Sequence, residues 1–143
     1  MKTYIGTKII QAEFSYKNGD EGYKVVYPDG YTSWSPKEAF EEAYRRADGM
    51  NFGLAFEAMR KGLKVARKGW NGKNMFIYLV EGTIVPVENL RGNCAEAVAM
   101  SKNTAPVQNI CGHIDMLAAD GSVVVGWLAS QTDMLSDDWE VIT

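Results

Sequence analysis

An α+β fold, with small antiparallel sheets packed with two main helices, is expected from three features of the 143-residue sequence. Two segments carry apolar residues at helical spacing behind a capping residue. Short β-rich runs alternate with Asp-Gly and Asn-Gly pairs, which favour tight hairpins because both central residues need positive φ. An apolar content of 46% supplies a core for one compact domain with a smaller appendage at most.

The chain opens on strands. "EGYKVVYP" alternates, Asp29-Gly30 marks a turn, and "YTSW" returns. "SPKEAFEEAYRRA" then predicts a helix capped by Ser35, with Pro36 at its first position and Glu38 completing a capping box. Phe40 and Tyr44 are four apart and share one face. "ADGMNFG" at 47–53 is the join. It divides the chain into 1–49, a β-hairpin plus helix element of unknown role, and 50–143, a second α+β unit. Asn51 caps the second helix, whose inward face is Phe52, Ala55, Phe56 and Met59, and Gly62 ends it. Arg60 and Lys61 sit in its last turn, where the helix dipole favours cations.

Two strands follow, "LKVARKGW" and "NMFIYLV", hinged at Asn71-Gly72 as a type I′ turn. Glu81-Gly82 turns into "TIVPV". Residues 88–112 have the weakest pattern and read as a loop, a short helix around Ala95–Met100 being the alternative. "HIDMLAADGSVVVGWLA" is a hairpin turning at Asp120-Gly121. The tail forms a polar turn or short helix before a last strand, "WEVI".

Charge is unevenly spread. Six basic residues lie between Arg60 and Lys73 with no acid among them, so the remainder carries −9 against a total of −3. A local cationic patch on an acidic body suits a compact anionic target better than a long polyanion, which wants a broad basic face. A solvated basic strand is the plain alternative. No run is long and apolar enough to span a bilayer, and the N-terminal stretch lacks the apolar block of a signal peptide. The two cysteines, Cys94 and Cys111, are then expected to be reduced. One histidine, His113, makes a poor zinc signature with them, so no metal is expected. No nucleophile elbow, Walker A loop or dinucleotide fingerprint occurs. His113 and Asp115, two apart on a strand, share a face, and a structural contact is the simpler reading than an acid/base pair. The inventory favours binding over turnover, and no cofactor is implied.

What it can bind is a nucleotide. Arg67, Lys68 and Lys73 offer donors for phosphate. Trp70, Phe76 and Trp127 offer flat surfaces for a base, and Asn71, Asp115, Ser130, Gln131, Thr132 and Asp133 offer short polar groups for ribose. Each has a plainer alternative. Phe76 and Trp139 can pack in the sheet, and Ser130 through Asp133 can cap a final turn.

"MNFGLAFEAMRKGLKVARKGWNGKNMFIYLV" and "HIDMLAADGSVVVGWLASQTDMLSDDWEVI", from about Met50 to Ile142, resemble a family of small phage and prophage proteins whose characterised members are the second class of Thoeris anti-defence proteins. The resemblance implies a molecular sponge. Thoeris defence makes a cyclic ADP-ribose signal from NAD, and these proteins bind that signal without cleaving it. It further implies homotetramers in the cytoplasm of the infected host, with pockets for glycocyclic ADP-ribose between protomers. Some members look able to hold cyclic oligonucleotides. Arg67, Trp70, Asn71, Lys73, Asp115, Trp127, Ser130, Gln131, Thr132 and Asp133 match the family's motifs and are the expected ligand-binding residues. The leading segment resembles an element fused ahead of other small phage proteins, with no role to assign. The span from Pro86 to Gly112 departs from the family, replacing a Pro- and Tyr-rich stretch with "NCAEAVAMSKN". Two rival readings remain: an enzyme on an NAD-derived nucleotide with Asp115 or Asp133 as general base, and a nucleic-acid or protein interaction module using the basic hairpin.

Overall fold

The computed structural model describes residues 1–70 and 73–143. Strands β1 (Gln11–Lys17), β2 (Asp20–Val26) and β3 (Thr32–Pro36) form an antiparallel meander followed by α1 (Lys37–Ala43). The N-terminal element is therefore a three-stranded sheet with a helix, one strand more than the expected hairpin. Tyr23 and Val25 alternate with outward residues on β2 and so share a face. Val25 is buried, and the Tyr23 ring stacks on Phe40 at 4.2 Å between centroids. Phe40 stacks in turn on Tyr44 at 4.9 Å, as their spacing predicts. The cap expected at Ser35 does not form. Ser35 is still in the β2–β3 ladder, opposite Tyr23, and α1 starts behind Pro36 with no side-chain cap. A strand that runs straight into a helix leaves the serine no capping geometry.

The second unit begins with α2 (Phe52–Arg60). Asn51 Oδ1 accepts the Leu54 amide at 2.9 Å, satisfying one of the free N–H groups of the first turn. Gly62, at φ +84°, ends the helix in a backbone conformation that a side chain resists. The strands are β4 (Lys64–Arg67), β5 (Phe76–Val80), β6 (Thr83–Pro86), β7 (Val107–Ile110), β8 (His113–Leu117), β9 (Val123–Val124) and β10 (Trp139–Ile142). Five of them form an antiparallel sheet in the order β10-β4-β5-β8-β9, while β6 and β7 pair separately. Helix α2 covers one face, and its Ala55, Ala58 and Met59 pack with Val65, Ile77, Met116 and Trp139 as the core. Met50, on the approach to α2, exchanges backbone hydrogen bonds with Trp139 at 2.8 and 3.1 Å and so closes the β10 edge. The fully buried Trp139 alone is worth about 3–5 kcal/mol against alanine.

Three expectations change. Strand β4 stops at Arg67, Lys68–Trp70 is a 3₁₀ turn, and β5 starts only at Phe76. The connection is thus eight residues rather than a two-residue turn; Asn71 and Gly72 themselves lie outside the described residues. Phe76 alternates with the buried Ile77, so it faces away from α2, half-buried, under the Lys64 ammonium at 5.5 Å. Residues 88–112 are not a loop: they hold α3 (Gly92–Met100) and β7. The Asp120-Gly121 hairpin, the short helix α4 (Gln131–Met134) and the final strand form as expected. Among the described residues no helix is long and apolar enough to cross a membrane.

Candidate functional site

The sheet brings together two ends of the chain that the sequence keeps far apart. Trp139 on β10 stands opposite Arg67 on β4, so the tail before β10 lies over the end of β4. Arg67 there meets two carboxylates. Its Nε donates to Asp138 Oδ1 at 2.9 Å, Nη2 to Asp138 Oδ2 at 3.4 Å, and Nη1 to Asp133 Oδ1 at 2.8 Å. The planar guanidinium suits such a fork. Asp138 first and Asp133 second raise the Arg67 pKa. Hydrogen bonding from Arg67 lowers the Asp138 carboxyl, against burial and with help from the Gly69 amide. Burial opposes ionisation of Asp133, but Arg67, Ser130 and Trp70 together hold it below the usual carboxylate range.

Asp133 is the hub of this end of the molecule. Its Oδ2 accepts from Ser130 Oγ at 2.8 Å, and its own amide donates back to Ser130 Oγ at 3.0 Å, a reciprocal cap on α4. Its Oδ1 also faces the Trp70 indole N–H at 3.4 Å, and its carbonyl accepts the Trp139 indole N–H at 2.9 Å. Three tryptophans consequently meet edge-on: Trp70 and Trp139 at 5.4 Å, Trp70 and Trp127 at 6.2 Å, Trp127 and Trp139 at 6.3 Å. Phe52 closes the group from α2. Trp139 is fully buried, whereas Trp70 and Trp127 are partly buried at the rim of the core. Trp127 is placed from the other side. The buried Asp115 carboxylate accepts the Gly126 amide at 3.0 Å, Gly126 takes φ +78°, and the Trp127 amide donates to the Ile114 carbonyl at 2.7 Å. His113 Nε2 stands 3.5 Å from Asp115, the structural contact expected from their spacing.

Of the ten expected ligand residues, Arg67, Trp70, Trp127, Ser130 and Asp133 therefore form one cluster, and Asp115 supports it through Gly126. Gln131 and Thr132 are exposed on α4, and Lys73 is exposed on the β4–β5 connection. Asn71 lies outside the described residues. The basic run does not form one patch: Lys61 pairs with Glu57 at 3.8 Å, Lys64 lies over Phe76, and Arg67 is neutralised. Sequence reasoning missed Asp138 and Phe52. Asp138 is adjacent to Trp139, but only the β4–β10 pairing shows that it faces Arg67. A carboxylate ion-paired and held low, like Asp133, is a weak base. Among the described residues no group of three His, Cys, Asp or Glu side chains could hold a metal ion, and both cysteines are free and exposed.

Comparison with known proteins places this architecture. The family described as the Thoeris anti-defense 2-like domain matches residues 50–142. A Bacillus phage SP01 protein named Thoeris anti-defense 2 is 30% identical over 94 residues, which are 66% of this chain and 96% of that protein.

Proposed function

The chain belongs to the Thoeris anti-defense 2-like family, and on that premise we propose that it is a phage protein that counters Thoeris defence by sequestering a cyclic ADP-ribose-type signal, glycocyclic ADP-ribose, without cleaving it. The observation that carries this reading is the pair of partly buried indoles, Trp70 and Trp127, held by hydrogen-bonded polar groups and bordered in sequence by exposed polar and cationic side chains. A base stacks on such rings. Lys73 and Lys68 supply charge for the pyrophosphate, and Gln131, Thr132 and Ser130 reach ribose hydroxyls. Asn71 joins them through its place in the family motif. In this reading Arg67, Asp133 and Asp115 mainly hold the indoles in position, since each is already hydrogen-bonded within the protein. A sponge needs slow release and no reacting group, which fits a site whose central carboxylate is tied to an arginine.

The homotetramer belongs to the same proposal. Val123 on β9, Val125 and Leu128 after it, and Leu135 just past α4 are 53, 70, 90 and 78% exposed, apolar side chains that a partner copy would cover. Calorimetric titration with a panel of cyclic ADP-ribose isomers tests the function, followed by denaturation and chromatography of the ligand. Tight binding with intact recovery is expected, and Trp70→Ala removes it while the fold persists. Absence of heat with every isomer refutes the signal class. A hydrolysed product refutes sequestration.

A further inference from the structure

Residues 1–49 lie outside the stretch matched by the family, and the sequestration reading leaves them unused. Their sheet has one face covered by α1 and one face bare. Alternation places Ser15 and Lys17 of β1, Gly22 and Lys24 of β2, and Thr32 and Trp34 of β3 on the bare side, away from Tyr23 and Phe40. A solvent-facing sheet surface is normally polar, so a tryptophan at its centre is the informative exception. Gly22 makes room for it: a Cβ there would stand 2.3 Å from Trp34 Cζ2 and 2.4 Å from the Ser35 carbonyl oxygen. The Trp34 ring therefore lies directly on the backbone of β2. Its indole N–H is buried without a partner, so the ring is seated by contact rather than by a hydrogen bond at its edge.

Around the ring runs an open groove of about 690 Å³ lined by Ser15, Lys17, Lys24, Tyr31, Thr32 and Trp34. The exposed Lys17 ammonium lies over the open face of the ring, 5.8 Å from its centroid, and has no carboxylate within ion-pair distance among the described residues. Among the described residues Lys24 is paired only with Glu13, an exposed carboxylate on this same face, at 3.2 Å. Asp20 is on the same face but does not line the groove. A planar ring that carries an anion fits here by drawing the Lys17 ammonium off the Trp34 face onto its phosphate, beside Lys24 and two short hydroxyls. The sheet is about 10 Å across, two strand spacings, which suits one nucleotide rather than a run of bases. Two lysines on a chain of net charge −3 also give little hold on a polymer.

We propose that this face is a second ligand site, for a mononucleotide whose base stacks on Trp34 and whose phosphate is held by Lys17 and Lys24. The site is built from residues 15–34 and is independent of the tryptophan cluster of the other unit. The test uses the full chain and follows its four indole N–H resonances by NMR during titration with AMP, GMP, CMP or UMP. One resonance is expected to shift saturably, and Trp34→Phe removes that resonance, which assigns it. Lys17→Glu with Lys24→Glu, both on exposed side chains, raises the dissociation constant at least tenfold with the remaining spectrum unchanged. Trp70→Ala leaves the Trp34 response intact, so this site and the signal site fail separately. No saturable shift with any of the four overturns the proposal, as does an affinity unmoved by the charge reversals. So does equal competition by inorganic phosphate, which would mean an ion site without a base, or affinity rising with the length of a single-stranded oligonucleotide.

Discussion

Replacing Arg67 with alanine removes the group that ties β4 to both carboxylates of the tail. The side chains of Arg67 and Asp133 are each 13% exposed and that of Asp138 is 32% exposed, so the pairs are mostly but not fully desolvated. Breaking a fully buried pair from one side costs about 3–5 kcal/mol, because the remaining charge is stranded. Exposed pairs contribute under about 1 kcal/mol. The intermediate burial here, with three hydrogen bonds lost, places the cost at about 2–4 kcal/mol. For a chain of this size that corresponds to a fall in Tm of roughly 5–15 °C. Thermal melts followed by near-ultraviolet circular dichroism read it directly, since the tryptophan cluster sits on the same network. The pH dependence gives an internal check. Both aspartates have folded pKa values below the unfolded carboxylate value, so their contribution is complete above about pH 5 and is lost as pH falls through the folded values. The gap between wild type and Arg67→Ala should therefore narrow below about pH 4. A variant that melts within about 2 °C of wild type at pH 7, or a gap that stays constant into acid, would refute the assignment of Arg67 as the pin of this end.

Asn51→Ala removes the cap from the Leu54 amide and should cost about 1 kcal/mol, read as a lower urea midpoint with unchanged slope. Trp139→Ala should cost about 3–5 kcal/mol and abolish most of the aromatic circular dichroism, because the ring is buried against Phe52 and Trp70 and its N–H satisfies the Asp133 carbonyl. Gly82→Ala puts a Cβ 3.0 Å from both the Gly112 amide nitrogen and the Ile110 carbonyl oxygen. It should loosen β6 and β7, seen as faster amide exchange over 83–110, at about 1–3 kcal/mol and with little change in β4 or β10.

Local chemistry was legible in the sequence, and long-range pairing was not. The Asn51 cap, the Gly62 stop and the Asp120-Gly121 turn depend on neighbours within a few residues, and all three are in place. Ser35 had the right local pattern, but the ladder opposite Tyr23 had already fixed its backbone. Helix α3 was foreseen only as the alternative to a loop, around Ala95–Met100, because its N-cap, Arg91, makes no side-chain cap bond and the helix buries no residue, which leaves both helix signals weak. At the site, composition alone gathered Arg67, Trp70, Trp127, Ser130 and Asp133 as candidates. It could not show that several are one another's partners, because Arg67 and Asp138 are 71 residues apart and meet only through β4 and β10.

The span from Pro86 to Gly112 belongs to a long hairpin that carries α3. Val80 stands opposite His113 in one ladder and Thr83 opposite Ile110 in the next, with two residues between them on each side. The pairing register therefore passes unbroken from β5–β8 into β6–β7, making one long two-stranded ribbon. It changes sheet where Gly82 and Gly112 face each other, a crossing too close for a Cβ on Gly82 without backbone movement. Helix α3 rides at the far end of this ribbon. Among the described residues neither it nor β6 and β7 contribute a ring or a side-chain hydrogen bond to the tryptophan cluster. Among the described residues the "NCAEAVAMSKN" segment thus leaves the rings and hydrogen bonds of the tryptophan cluster to other elements. The homotetramer proposed above offers it one route to the ligand, from another copy of the chain.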